Sequence, residues 1–144
     1  MKSSLAAMTL FLGLSLVVAC GAPEESERVL YGEAVSVDGG EYREVSVPEL
    51  RTMLELEDFP LINVHIPFEG DLPGTDLSIP YNEIEEHLDL LPTDRNETVF
   101  LYCRSDGMSA IAAEALVRHG YTDVYHLRGG FNEWSAQGLP LEGN

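Results

Sequence analysis

ETVFLYCRSDGMSAIAAEALVRH, residues 97 to 119, changes period in its middle. Val99, Phe100, Leu101 and Tyr102 form a short apolar run rich in aromatic and β-branched residues, the pattern of a strand covered on both faces. From Ser109 onward Ile111, Ala112, Ala115 and Leu116 recur at helical spacing, and Glu114 and Arg118 stand four apart, so the chain now reads as a helix. Cys103 falls on the turn between them. Arg104, Ser105, Asp106, Gly107 and Met108 are few enough residues that the loop must curl tightly, with Gly107 able to take a positive φ. Such a curl points successive backbone N–H groups inward at the sulfur. Backed by the positive end of the following helix dipole, this nest stabilises an anion and lowers a thiol's pKa from its usual ~8.5. The alternative is a buried structural cysteine; the tight glycine-containing loop and adjacent arginine favour the reactive one.

Outward from this stretch, strands and helices alternate. Tyr42 to Val45 reads as a first strand, and Ser46-Val47-Pro48-Glu49 is a capping box that opens a helix running to about Leu56, where Phe59-Pro60 stops it. Leu61 to Ile66 is a second strand. The connection through Pro67, Gly70, Pro73 and Gly74 carries no period, as a functional or covering loop would. Asn82 can cap a helix from Glu83 to Leu91, Val124 to Leu127 is a further strand, and the Gly129-Gly130 turn leads to a helix holding Phe131, Trp134 and Ala136 that Gly138 closes. Val29 to Val37 could add a strand, although Gly39-Gly40 separates it from the rest. The pattern predicts an α/β domain with a mainly parallel central sheet of four to five strands flanked by helices. Ligands of such sheets sit at the carboxyl ends of the strands, where Cys103, His65 and Arg128 would gather.

The chain's 144 residues allow one domain and a leader. Lys2 precedes an uncharged apolar run from Leu5 to Ala19, shorter than the ~20 residues a membrane-spanning helix needs and suited to a signal-peptide core. Its end, Val17-Val18-Ala19-Cys20, resembles the lipobox of bacterial lipoproteins, which implies a lipid on Cys20 and an extracytoplasmic domain held on a bacterial membrane, on the periplasmic side. Gly21, rather than Asp, after that cysteine points by the same resemblance to the outer membrane. The expected organisation is a cleaved segment over 1–19, a lipid-attached tether over 20–40 that includes the acidic GAPEESE, and a domain over 41–144. With Cys20 lipidated, Cys103 has no partner for an intramolecular disulfide and no resolving thiol, which counts against a dithiol oxidoreductase. The net charge of −17 excludes nucleic acid as an expected partner.

LYCRSDGMSA and the alanine-rich helix after it resemble the active-site loop of the rhodanese family of sulfurtransferases. HLRGGFNEWSAQGLPL is similar to that family's closing segment, and LINVHIPFEGDLPGTDLSIP to its second strand and following loop, so the resemblance runs from about Tyr42 to Leu141. It implies a rhodanese-like domain with thiosulfate sulfurtransferase-like activity. Cys103 would be the catalytic nucleophile, and Arg104, Ser105, Asp106, Gly107, Met108 and Ser109 the loop that binds a small anionic sulfur donor. The sulfur would pass to a thiol or cyanide through a persulfide, without an obligatory general base, cofactor or metal, in a monomer. The sequence departs from the family pattern at Asp106, where many members have Gly, at Met108, where many have Arg, at Asn63-Val64-His65, where Asp-x-Arg is common, and at Asp71, where a His often stands.

Several roles stay open on the residues alone. Arg104 could grip a donor's sulfonate or be a solvated surface residue; Ser109 could donate to the site or cap the helix; His65 could act as acid or base or be structural. Asp106 could oppose the thiolate electrostatically, pair with Arg104, or cap the helix. His119 and His126 lack metal spacing with Cys103. A cysteine phosphatase would need an arginine six residues after the thiol, where Ser109 stands. The stronger rival is a rhodanese-fold binding or persulfide-sensing and redox-sensing module with little turnover.

Overall fold

Alternation along β5 (Val99–Tyr102) builds two cores, one on each face of a sheet. In a computed structural model that describes residues 29–143, Val99, Leu101 and Cys103 join one apolar cluster while Phe100 and Tyr102 join the other. The first cluster is roofed by α2 (Gly107–Arg118), the second by α1 (Val47–Leu56) and α3 (Gly130–Ala136). A strand buried on both sides can carry no polar alternation, which is why this run reads as continuously apolar.

The sheet has six strands among the described residues, not four to five. Its order is β1 (Glu33–Val37), β2 (Gly40–Val45), β6 (Val124–Leu127), β5, β3 (Leu61–Asn63), β4 (Leu77–Ser78). Only β1 and β2 pair antiparallel; the remaining neighbours are parallel. β1 lies within the stretch expected to be tether. Gly39-Gly40 therefore falls at a hairpin, with Asp38-Gly39 as its turn and Val37 paired with Gly40, and the folded unit begins before residue 41. Glu49 secures this edge: its Oε2 accepts Ser46 N at 2.8 Å, completing the capping box, while its Oε1 accepts Gly32 N at 3.0 Å. Burial pushes the Glu49 carboxyl up, but these hydrogen bonds outweigh it and hold the group below the usual carboxylate range.

Two other elements differ from the sequence expectation. β3 ends at Asn63 rather than Ile66 because the Asn63 side chain accepts His65 N at 2.9 Å and so turns the chain out of the ladder. The segment expected as a helix from Glu83 is a 3₁₀ stretch, Ile84–Leu90, broken by non-helical angles at His87, and Glu83 rather than Asn82 holds its N-cap position. Ile84 is its one buried residue, so no apolar stripe holds an α-helix there. The expected signal segment, Cys20 and GAPEESE lie outside the described residues.

Candidate active site

Cys103 is the first residue past β5, at the carboxyl end of a central strand, and α2 begins at Gly107. The intervening loop is thus only Arg104 to Asp106. Gly107 is the first turn of a helix and takes no positive φ, contrary to the sequence expectation. The left-handed glycines belong to the neighbouring turn, Gly129 at φ 78° and Gly130 at φ 55°.

Gly130 shapes the thiol loop from outside it. A Cβ on Gly130 would lie 2.2 Å from the Cys103 carbonyl oxygen and 2.6 Å from both the Arg104 carbonyl carbon and the Ser105 oxygen. That contact lets Phe131 N and Asn132 N donate, each at 3.0 Å, to the carbonyls of Cys103 and Arg104. A trans peptide holds C=O and N–H antiparallel, so the amides of Arg104 and Ser105 face away from α3. The sequence showed the Gly-Gly turn but not that it supports the cysteine loop from 26 residues farther along the chain, since only the β5–β6 pairing brings the two together.

The sulfur itself is sealed. Cys103 is 1% exposed, and the hydrogen-bond partner of its Sγ is Ser109 Oγ at 3.4 Å. Ser109 does not cap the helix; it sits inside it, fully buried, while Asp106 occupies the N-cap position. Ser109 Oγ also meets the Asp106 carbonyl at 3.1 Å and His126 Nδ1 at 3.0 Å. His126 is fully buried, and its Nε2 lies 3.2 Å from Glu44 Oε1. Desolvation pushes the His126 pKa down, against the raising effects of Glu44 and, more weakly, Asp106.

The expected binding residues divide. Ser105, Asp106 and Gly107 are exposed, and Met108 is half-buried against the α2-side core. Asp106 neither pairs with Arg104 nor uses its side chain as a cap; its Oδ1 accepts Gly129 N at 2.7 Å, tying the thiol loop to the glycine turn. Arg104, 56% exposed, instead reaches Glu69 Oε2 at 3.5 Å, and the same oxygen contacts His65 Nε2 at 2.6 Å. His65 is buried, packs its ring edge-on against Phe131 at 5.3 Å, and has no hydrogen-bond partner for Nδ1. Asn63 and Asp71, two of the departures from the family pattern, bond to each other at 2.8 Å, and Asp71 also accepts the Tyr102 hydroxyl at 3.1 Å. They hold the covering loop closed over β3. Arg128 lies at the sheet's carboxyl end but pairs with Glu33 at 3.7 Å, away from the cysteine.

Glu44, Glu69 and His126 were missed on the sequence. Glu44 and His126 had one available signal: period-2 alternation places Glu44 on the same face as Tyr42, and His126 on the same face as Val124, both apolar neighbours. A charged and an imidazole side chain on covered faces need a partner, but only the register between β2 and β6 shows that they face each other. A surface cavity of about 390 Å³, lined in part by Asp58, Pro60 and Leu77, is at the opposite end of the sheet from Cys103.

A buried thiol at a strand's carboxyl end, an adjacent arginine and a loop with outward amides can hold an anion beside a nucleophile. Known proteins similar to this chain include sulfurtransferases. A sulfurtransferase of Allochromatium vinosum is 35% identical over 92 residues, 62% of this chain and 83% of that one. The probable adenylyltransferase/sulfurtransferase MoeZ of Mycobacterium tuberculosis is 33% identical over 129 residues, spanning 82% of this chain but only 32% of MoeZ. Among solved structures, a rhodanese-related protein from Thermoplasma volcanium matches with a TM-score of 0.59 and 25% identity, covering 69% of this chain and 97% of that one. Residues 49–137 match the family described as Rhodanese-like domain, and the chain belongs to that family.

Proposed function

We propose that the protein moves sulfane sulfur from a small anionic donor of the thiosulfate type to a thiol or cyanide acceptor through a persulfide on Cys103. The observation that carries this reading is the placement of a free thiol between β5 and α2, on a loop whose carbonyls are bound by the amides of α3. In the first half-reaction the Cys103 thiolate attacks the outer sulfur of the donor, an S–S bond forms as the donor's S–S bond breaks, and sulfite leaves with the bond's electron pair. In the second, an acceptor thiolate or cyanide takes the outer sulfur and the Cys103 thiolate returns. Arg104, released from Glu69, supplies a planar donor fork to a sulfonate. Ser105, Gly107 and Met108 shape the mouth of the loop, and no cofactor or metal is required.

The experiment is mass spectrometry of the protein after thiosulfate treatment. One added sulfur atom on the Cys103 peptide, discharged as thiocyanate by cyanide and absent from Cys103→Ser, is expected. A wild-type protein that takes no sulfur from thiosulfate or from an organic persulfide rejects the reading. The near-complete burial of the thiol, together with Glu69 and Asp106 near the loop, favours one second reading: a persulfide or redox sensor that reacts once and turns over little. Steady-state turnover with excess donor and acceptor separates the two.

The same proposal places the domain on the extracytoplasmic side of a bacterial membrane through a lipid on Cys20, supported by the lipobox-like Val17-Val18-Ala19-Cys20. Metabolic labelling with a fatty acid should mark the wild type and miss Cys20→Ala. Equal labelling of both overturns the anchor.

A further inference from the structure

A continuous polar chain runs from the sulfur across the α2-side face of the sheet to β2. Cys103 Sγ lies 3.4 Å from Ser109 Oγ, which lies 3.0 Å from His126 Nδ1, and His126 Nε2 lies 3.2 Å from Glu44 Oε1. Sheet register makes this arrangement: Glu44 pairs with His126 and His126 with Leu101, so all three point to the face where Cys103, two residues beyond Leu101, also points. The inner members are closed off from water, with Cys103 at 1% and Ser109 and His126 at 0% exposure, whereas the Glu44 side chain is 29% exposed. Sulfur transfer by itself does not require buried imidazole behind the nucleophile, and a histidine kept only for packing would not need both ring nitrogens aligned on this line.

We propose that Ser109, His126 and Glu44 form a proton relay that receives the Cys103 proton and steadies the thiolate left behind. It deepens the sulfur-transfer proposal and rests on it only for what the thiolate then attacks. Ser109 touches the reacting sulfur; His126 and Glu44 are positioning residues that act through it.

The proton positions follow from the partners. The Glu44 carboxylate accepts Nε2–H, which leaves the Nδ1 lone pair facing Ser109. The single Ser109 hydroxyl proton then goes to Nδ1 at 3.0 Å rather than to the Asp106 carbonyl, because the second orientation would set an Oγ lone pair against the Nδ1 lone pair. Ser109 Oγ is thereby free to accept from the thiol. On ionisation the S–H proton passes to Oγ as the hydroxyl proton passes to Nδ1; one S–H and one O–H bond break, one O–H and one N–H bond form, and no electrons are exchanged. The product is a thiolate that accepts a hydrogen bond from Ser109 and an imidazolium paired with Glu44, from whose exposed end the proton can reach solvent. The charged and titratable groups around the imidazole are Glu44 from β2, Asp106 at the head of α2, and the Tyr42 ring edge-on at 5.2 Å. Burial pushes the Tyr42 phenol up, so it stays neutral while the relay titrates.

The test reads thiolate formation directly, by far-ultraviolet absorbance against pH in the intact protein with Cys103→Ser as the blank. Ser109→Ala should move the midpoint upward by roughly one pH unit, about a tenfold loss of thiolate at a fixed pH below it. Glu44→Gln keeps an acceptor for Nε2–H and hence the structural contact, but removes the charge that holds an imidazolium, so it should shift the midpoint the same way with an unchanged circular dichroism spectrum. A midpoint that stays at the wild-type value in folded Glu44→Gln overturns the relay, whatever happens to Ser109→Ala. Sulfur loading from thiosulfate is scored separately: a wild type that takes no sulfur while both variants shift keeps the relay and rejects sulfur transfer, and a wild type that loads normally while neither variant shifts does the reverse.

Discussion

Replacing Gly130 by Ala tests whether the thiol loop is shaped from α3. Gly130 holds φ at 55°, where an L residue costs about 1–2 kcal/mol. Its new Cβ would meet the Cys103 oxygen at 2.2 Å and the Ser105 oxygen at 2.6 Å, both backbone atoms that no rotamer change can move. Overpacking of that kind costs about 1–3 kcal/mol more, through displacement of the loop or loss of the Phe131 N to Cys103 carbonyl bond. The sum, roughly 2–5 kcal/mol, lowers the thermal midpoint of a domain this size by about 10 °C or more. Gly107→Ala is the matched control. No atom lies within 4 Å of a Cβ there and the residue opens a helix, so the substitution should be neutral or stabilise by up to about 1 kcal/mol. Differential scanning calorimetry measures both, and iodoacetamide alkylation reads the thiol, which should react faster in Gly130→Ala as the loop is pushed open. Equal midpoints for the two variants, or a larger loss at Gly107, would refute the argument.

The remaining predictions concern the charges around the loop. Glu69→Gln should lower the thiosulfate KM by releasing Arg104, and Arg104→Ala should raise it; the half-exposed ion pair limits the first effect to about 1 kcal/mol, or roughly fivefold. Unchanged KM in both variants would return Arg104 to a solvated surface role. Asp106→Gly removes the 2.7 Å bond to Gly129 N, so alkylation of Cys103 should accelerate and the thermal midpoint should fall; a slower alkylation rate contradicts the tie between the two turns. His126 and Glu49 bind protons less readily folded than unfolded, so each contributes stability above its unfolded value and loses it as pH falls through the folded one. Acidification from about pH 7 to 5 should therefore narrow the gap in thermal midpoint between wild type and His126→Asn. A gap that widens would show that His126 gains rather than loses protons on folding.

Much of the architecture was legible along the chain, because the signals that specify it are local. The switch from a continuous apolar strand at Val99–Tyr102 to helical spacing after Ser109 located the thiol, and the Ser46–Glu49 box located the start of α1. Local chemistry misled where a neighbour in space overruled it. Gly107 looked like the indispensable glycine of the loop, yet that constraint falls on Gly130, which packs against the loop's carbonyls while Phe131 N and Asn132 N bind those of Cys103 and Arg104. Gly39-Gly40 looked like a boundary and instead marks a hairpin turn running into β2, since β1 finds its pairing partner there. By itself the sequence determined the order of the main strands and helices and the thiol's position, both properties of a few contiguous residues. Only the tertiary structure decided what surrounds the sulfur: Glu44, His126, Cys103 and Ser109 come from four elements, and their alignment exists only through the parallel register of β2, β6 and β5 and the seating of α2 upon it.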